Sequence, residues 1–448
     1  MNFSEVVDPT LSGLIISVIF GAVIIFYWFC QKSPPKNESE DHEEKESKVL
    51  PTKKPKPQAK LKRSTVPTFT DPLLYTSLKG HGGAVLGLHA SINGKYLASC
   101  SDDRSVRLWS VKDFGHGNKC VRVNVEYDHA KLVQFSPDSR AFIAGLAIEN
   151  TVRVFKLGKK DDGVTTTCVP IEGDFPKYTQ ADLMSIGVGS SASGGSFVMT
   201  AYRDTTIHVR NLKGDILNTI NSNLGNNNFA SVSPCGRFFA ACGWTPDVKV
   251  WAVEFTKSGD YRDVVRAFEL KGHTSSIWSF GFNNDTTRMI TVSKDGTWRF
   301  YDTDIEYDKS QEPYFLNSGQ FEVCGLSPAE HECLVALSPD ASVAAVACLN
   351  NITVFSTATG DVECNFKEVH SEIITSLIFD IAGRYILSSG DKHIRVIHNI
   401  LGYKETIRRL QLKLKKEPAS SATRERLERQ LHEAQKNLAK IQSSSNGK

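Results

Sequence analysis

Residues 271–302 read KGHTSSIWSFGFNNDTTRMITVSKDGTWRFYD. The segment opens on Gly272-His273, alternates through Ile277, Ser279 and Gly281 into a polar turn at Asn283-Asn284-Asp285, and resumes at residues 289–292. A second turn at 293–296 leads into 297–301. Two-residue alternation broken by Asn, Asp and Gly clusters predicts three short strands joined by tight turns, with a fourth before the next unit. One such sheet cannot bury both of its faces, so the chain must hold further copies of it.

The copies are present. LHASINGKYLASCSDDRSVRLW repeats the order of turns and strands and ends at Trp109. Weaker copies end at Phe155, Arg210, Trp251, Phe355 and Ile397, which with Tyr301 makes seven end points, 41 to 55 residues apart by difference. Gly, Pro and Asn turns at this frequency exclude helix, so the region is all-β. The seventh copy lacks an outer strand, whereas residues 73–78 (LLYTSL) precede the first copy with no partner of their own. Lending that strand to the last sheet closes a ring and removes open edges around the circle.

These repeats resemble the WD-repeat family. Gly80-His81 and Gly272-His273 are similar to its GH signature, and Ser136-Pro137-Asp138 and Ser338-Pro339-Asp340 to its SPD turns. The resemblance implies a seven-bladed β-propeller over residues 70–400, with a buried hydrogen-bond network in each blade. His81, Ser99, Asp103 and Trp109 match that network, as do His273, Thr291 and Asp295 with Tyr301 in the tryptophan place. The other five copies depart from it: Glu149 stands for the Asp, Arg210 for the Trp, and Thr245 and Leu349 where the acid is expected. Those blades are expected to rely more on apolar packing.

Beyond the ring, composition is segregated, although 53 Lys and Arg against 50 Asp and Glu leave a net charge of only +3. Residues 11–30, LSGLIISVIFGAVIIFYWFC, contain no Asp, Glu, Lys, Arg or His. Twenty residues at about 1.5 Å each span about 30 Å, which predicts a transmembrane helix and leaves residues 1–10 as a short luminal end. A cleaved leader would carry a basic start and a shorter core, whereas this flank holds Glu5 and Asp8. Lys32, Lys36, Lys45 and Lys48 follow the span and no base precedes it, so the ring is expected on the cytosolic side. Residues 31–69, rich in Pro and charge, form a linker too polar to order itself. Sequons at Asn37, Asn284 and Asn351 would then be accidental.

Residues 403–442 change period. Leu427, Leu431, Ala434, Leu438 and Ile441 recur at helical steps after Pro418, and Ile407, Leu410 and Leu414 mark a shorter helix before it. The expectation is a basic amphipathic tail, open to a short coiled coil or to packing on itself or the ring, and its bases open it to RNA or lipid.

No Walker loop, HExxH or GxSxG occurs, so no enzyme, cofactor, catalytic residue, metal or small-molecule substrate is expected. His331-Glu332-Cys333 and Asp128-His129 lack the partner pair that metal spacing requires. The ten cysteines contain no CxxC, and Cys100, Cys242 and Cys348 fall at equivalent places on separate repeats, which fits buried free thiols. Function is therefore expected in turns. Arg104, Arg203 and Lys294, beside the Asp turns, are the candidate partner-binding residues. The phrases YLASCSDDRSVRLWSVKDF, VSPCGRFFAACGWTPDVKVW, VVRAFELKGH and VSKDGTWRFYDTD, with the N-terminal span, resemble one membrane-anchored branch of the family. That resemblance implies a single-pass endoplasmic reticulum protein with a non-enzymatic ring, bound to the stress-sensing kinase of that membrane in the unfolded protein response.

Overall fold

Residues Val343–Cys348 are buried at all six positions. A strand with no wet side must be covered on both faces, and the fold supplies that cover by stacking sheets around an axis. The computed structural model describes residues 69–445 apart from Asn118, 160–165, Glu172, Cys324, 328–329 and 417–421. The predicted span at 11–30 and nearly all of the linker lie outside the described residues. None of the described helices is long and apolar enough to cross a membrane.

Seven four-stranded antiparallel sheets make the ring, numbered as blades in chain order, with blade 2 over residues 130–170, blade 3 over 183–221, blade 4 over 227–270, blade 5 over 277–320 and blade 6 over 333–366. Blade 1 runs Val85–Ala90, Tyr96–Ser101, Ser105–Ser110 and Cys120–Asn124 from the axis outward. The innermost strands touch in a closed cycle, blade 7 meeting blade 1. One apolar cluster fills each of the seven blade interfaces. In blade 1, Val106 and Leu108 face blade 2 while Trp109 faces blade 7, so alternate side chains of one strand serve two interfaces. Blade 7 combines Ser376–Phe379, Tyr385–Ser389 and His393–His398 with Leu74–Lys79 as its outer strand. Leu78 pairs with Ile394 and is 1% exposed.

The turns sort onto two faces. The loops entering each blade and the turns between its second and third strands share the upper face; the turns between first and second strands share the lower. In the Ser-Pro-Asp turns below, Ser338 Oγ donates to Asp340 at 2.8 Å and Ala341 adopts φ 61°, which lets the chain reverse.

Helix α1 (Ile400–Lys416) follows the third strand of blade 7 directly. Asn399 starts it: its Oδ1 accepts the Gly402 N–H at 3.0 Å, and its Nδ2 holds the Gly383 carbonyl at 2.8 Å. A Cβ on Gly402 would collide with that amide. Leu401 packs into the cluster between blades 6 and 7. Ser356 Oγ donates to Glu405 at 3.2 Å and Arg409 pairs with Asp340 at 3.3 Å. Helix α2 (Ala422–Ser445) packs on α1 with Ala434 and Ile441 buried. The stripe that reads as half a coiled coil is thus covered within the chain. A cavity of about 500 Å³ separates this hairpin from the lower turns of blades 6 and 7.

Candidate interaction face and the networks beneath it

The upper face is held by polar groups whose side chains cross from one loop to another. In blade 1, Asp103 Oδ1 accepts the Ser105 N–H and hydroxyl at 3.0 and 2.6 Å. Its Oδ2 accepts the Gly82 N–H at 2.8 Å and faces His81 Nδ1 at 3.0 Å. Trp109 Nε1 donates to Ser99 Oγ at 2.8 Å, and Ser99 Oγ meets His81 Nε2 at 2.7 Å. Indole N–H can only donate, so Ser99 spends its proton on Nε2, and Nδ1 carries the imidazole proton to Asp103. Burial lowers the His81 pKa and keeps the ring neutral. Burial alone would raise Asp103, but the bonds from Ser105, Gly82 and His81 outweigh it and hold the carboxyl at about 2. The hydrogen bonding follows the order of a Ser-His-Asp triad, yet Ser99 is fully buried and its oxygen is occupied by Trp109. Replacing Trp109 by Phe keeps the ring but strands the Ser99 oxygen, and we expect a loss of about 1–3 kcal/mol in urea denaturation.

Blade 5 repeats the core of this network. His273 meets Thr291 Oγ1 at 2.7 Å and Asp295 at 3.0 Å. Tyr301 occupies the tryptophan place but reaches past Thr291, donating to the Lys271 carbonyl at 2.8 Å, and burial pushes its phenol up to about 12. The glycine of the GH pair has a steric reason here: a Cβ on Gly272, at φ 122°, would stand 2.5 Å from the Arg299 guanidinium.

Blade 7 holds a third copy that the sequence reading assigned to the departing repeats. His370 lies 2.9 Å from Ser388 Oγ and 3.2 Å from Asp391. Asp391 further accepts the His393 N–H at 2.8 Å and Arg395 Nη2 at 3.2 Å. Valine precedes this histidine and Ile397 fills the aromatic place, which hid it. The usable signal was the spacing of 18 residues from His to hydroxyl, shared by 81/99, 273/291 and 370/388.

The remaining blades carry other polar anchors beside their apolar interfaces. In blade 2, Glu149 does not replace the aspartate; its side chain pairs outward with Lys177. The buried carboxylate is Asp128, which accepts the His129, Ile148 and Glu149 N–H groups at 2.6, 3.1 and 2.9 Å. In blade 3, the Arg210 guanidinium fills the tryptophan slot, donating to Thr200 Oγ1, Tyr202 Oη, His208 Nδ1 and the Gly214 carbonyl at 2.8–3.2 Å. In blade 4, Thr245 has a buried hydroxyl without a partner among the described residues, and Lys249 ties the carbonyls of Ser222 and Asn223 at 2.9 and 3.0 Å. In blade 6, Leu349 sits in the turn at φ 51°, and Asn351 Oδ1 accepts the Glu368 N–H at 2.9 Å.

Arg104, Arg203 and Lys294 are exposed on the upper face in blades 1, 3 and 5, dispersed around the ring rather than gathered. Sequence reasoning missed four other residues of that face. Among the described residues the most exposed large hydrophobics are Tyr127 (91%), Ile148 (70%), Trp244 (65%) and Ile373 (62%). All four stand in blade-entry loops or second turns. Tyr127 and Ile148 share blade 2, and Tyr127 is held at φ 64°, an outlying conformation for a bulky residue. Bulky apolar side chains inside otherwise polar turns were the available signal.

The ring of seven sheets and its His-Ser/Thr-Asp networks define a WD-repeat β-propeller. A family model described as WD domain, G-beta repeat, matches residues 72–110, 265–302 and 363–398, the three blades that carry the network. The chain is 47% identical to transducin beta-like protein 2 of Mus musculus and of Homo sapiens, over 92% of its own length and 89% of each relative. It belongs to the transducin beta-like protein 2 family. More distantly, it is 23% identical to apoptotic protease-activating factor 1 of Danio rerio over 67% of this chain and 22% of that protein.

Proposed function

We propose that this chain is a membrane-tethered interaction scaffold whose upper face binds partner proteins. The observation that carries the reading is the exposure of Tyr127, Ile148, Trp244 and Ile373 on the upper face of a braced ring. Rigid turns lose little entropy on binding, and exposed aromatics on the same face as Arg104, Arg203 and Lys294 have the composition of interface anchors. Within the proposal, residues 11–30 anchor the chain in the endoplasmic reticulum, the ring faces the cytosol, and the partner is the stress-sensing kinase of that membrane. The apolar segment with its basic flank supports the anchor. Tethering raises the local concentration of whatever the ring binds.

Two experiments test this. Protease added to sealed microsomes should digest the ring; protection would reverse the topology and the partners available. Replacing Tyr127 and Ile148 together by Glu should leave the melting temperature unchanged yet weaken partner capture about thirty-fold, the loss of one anchor at about 2 kcal/mol. Leu212→Glu, 59% exposed on the lower face, serves as the control. Equal loss from both variants would sink the assignment of the face.

A second reading, RNA contact through the hairpin, is favoured by Lys413, Lys415 and Lys416 in the last turn of α1. Crosslinking of RNA that survives their replacement by Glu would exclude it. Deleting residues 403–448 is a poorer test, because α1 is packed into blades 6 and 7.

A further inference from the structure

In blade 6 the inner strand Cys333–Leu337 pairs with Val343–Cys348 without a register shift, and Cys333 lies directly opposite Cys348. The phase of the ladder follows from its turn. Ser338 N donates to the Val343 carbonyl at 2.8 Å, so 338 and 343 form a hydrogen-bonded pair. Alternation makes 337/344, 335/346 and 333/348 non-hydrogen-bonded pairs. In such pairs the Cα atoms stand about 4.5 Å apart and the side chains approach most closely on the same face. A disulfide requires a Cα separation of about 4.4–6.8 Å. Both sulfurs lie in one apolar cluster, each residue 1% exposed.

The other fully buried cysteines among the described residues are placed differently. Cys100 pairs with Gly87 and Cys242 with Phe229, so neither faces a thiol. The 333/348 pair is also the last of its ladder, where opening requires only fraying of a strand end and not of the blade.

We propose that Cys333 and Cys348 form a redox-active dithiol that closes to an intrablade disulfide under peroxide. The two thiols lose two protons and two electrons, one S–S bond forms, and hydrogen peroxide is reduced to two waters. Cys333 Sγ donates to the His331 carbonyl at 3.5 Å, and the mutual influence of the two thiols lowers the Cys348 pKa and raises that of Cys333. One thiol attacks the O–O bond to become a sulfenic acid, and the other displaces water from it to close the disulfide. Thiol reductants reopen the bond by exchange. In a glutathione-reduced cytosol the dithiol is the resting form; in an oxidising lumen the disulfide would be.

The test uses the full chain under native conditions. Graded hydrogen peroxide is followed by denaturation, alkylation with N-ethylmaleimide and peptide mapping. The expected result is complete loss of both thiols together, as a cross-linked peptide pair containing residues 333 and 348, while Cys100 and Cys242 still alkylate. Dithiothreitol should restore both. The proposal is overturned if Cys333 and Cys348 remain alkylatable for as long as Cys100 and Cys242, or are lost singly or to other cysteines. In Cys348→Ala, no cross-linked peptide containing residue 333 should form. Should that variant fail to fold, the map of the unaltered chain decides alone.

Discussion

Asp391→Ala is expected to destabilise the ring by about 3–5 kcal/mol, the range for stripping one partner from a buried ion pair. The carboxylate faces His370 at 3.2 Å and accepts the His393 N–H at 2.8 Å, the Ser371 N–H at 3.4 Å and Arg395 Nη2 at 3.2 Å. The Arg395 side chain is only 4% exposed, and its Nε and Nη1 already lack partners among the described residues. Without Asp391 a guanidinium would stay buried with no anion. Asp103→Ala is the comparison. It leaves only a neutral imidazole and N–H and O–H groups unpaired, for about 1–3 kcal/mol. Urea midpoints for the two variants check the ordering; equal losses would mean that Arg395 relaxes to solvent. The pH dependence has a definite sign. Burial holds His81, His273 and His370 below the usual imidazole value, so the unfolded chain takes up more protons as pH falls below about 6.5, and stability declines. Asp103 and Asp295, held at about 2, and Asp391, held lower still, add a second loss below about pH 4. A melting temperature that rises from pH 7 to pH 5 would contradict the histidine assignment, and one that holds from pH 4 to pH 2 the carboxylate assignment.

A chain that begins at residue 80 is expected to yield no folded monomer. It lacks the outer strand of blade 7, whose Leu74, Thr76, Ser77, Leu78 and Lys79 register with Ile397 through His393. Leu78 also belongs to the apolar cluster shared by blades 7 and 1, with Val85, Trp109 and Ile394. Removing it opens that interface and leaves the His393–His398 strand as a bare edge, a template for pairing with other chains. Size-exclusion chromatography should find aggregate or dimer, and a peptide of residues 69–79 added during refolding should restore the monomer. A monomer with an intact near-ultraviolet spectrum would show that six closed blades and an open seventh suffice.

The ring was legible because its punctuation is local. Asn93-Gly94, Ser136-Pro137-Asp138 and Ser338-Pro339-Asp340 each force a reversal, whatever lies across the interface. The closing strand was legible for a different reason, since residues 73–78 had no other sheet to join. Side-chain networks were legible only where His, hydroxyl, acid and aromatic all kept their usual places. Asp128 reached the second turn of blade 2 from the entering loop, and Arg210 filled an indole's volume with a guanidinium. Neither is visible in the spacing, because tertiary partners such as Tyr202 and the Gly214 carbonyl decide whether a buried charge is tolerated. The exposed Tyr127 and Trp244 were overlooked because strand periodicity says nothing about side chains standing on turns.

The closing strand also imposes an order on synthesis. Leu78 leaves the ribosome more than 300 residues before its partner Ile394. At about 5–20 residues per second that interval is roughly 15–60 s, during which a nascent apolar strand has no ladder to join. Blades 1 to 6 can assemble in sequence, but the circle shuts only when the last three strands emerge. A ribosome stalled before Ile397 would leave every earlier blade made and the molecule still open, with its first strand free for a chaperone to hold.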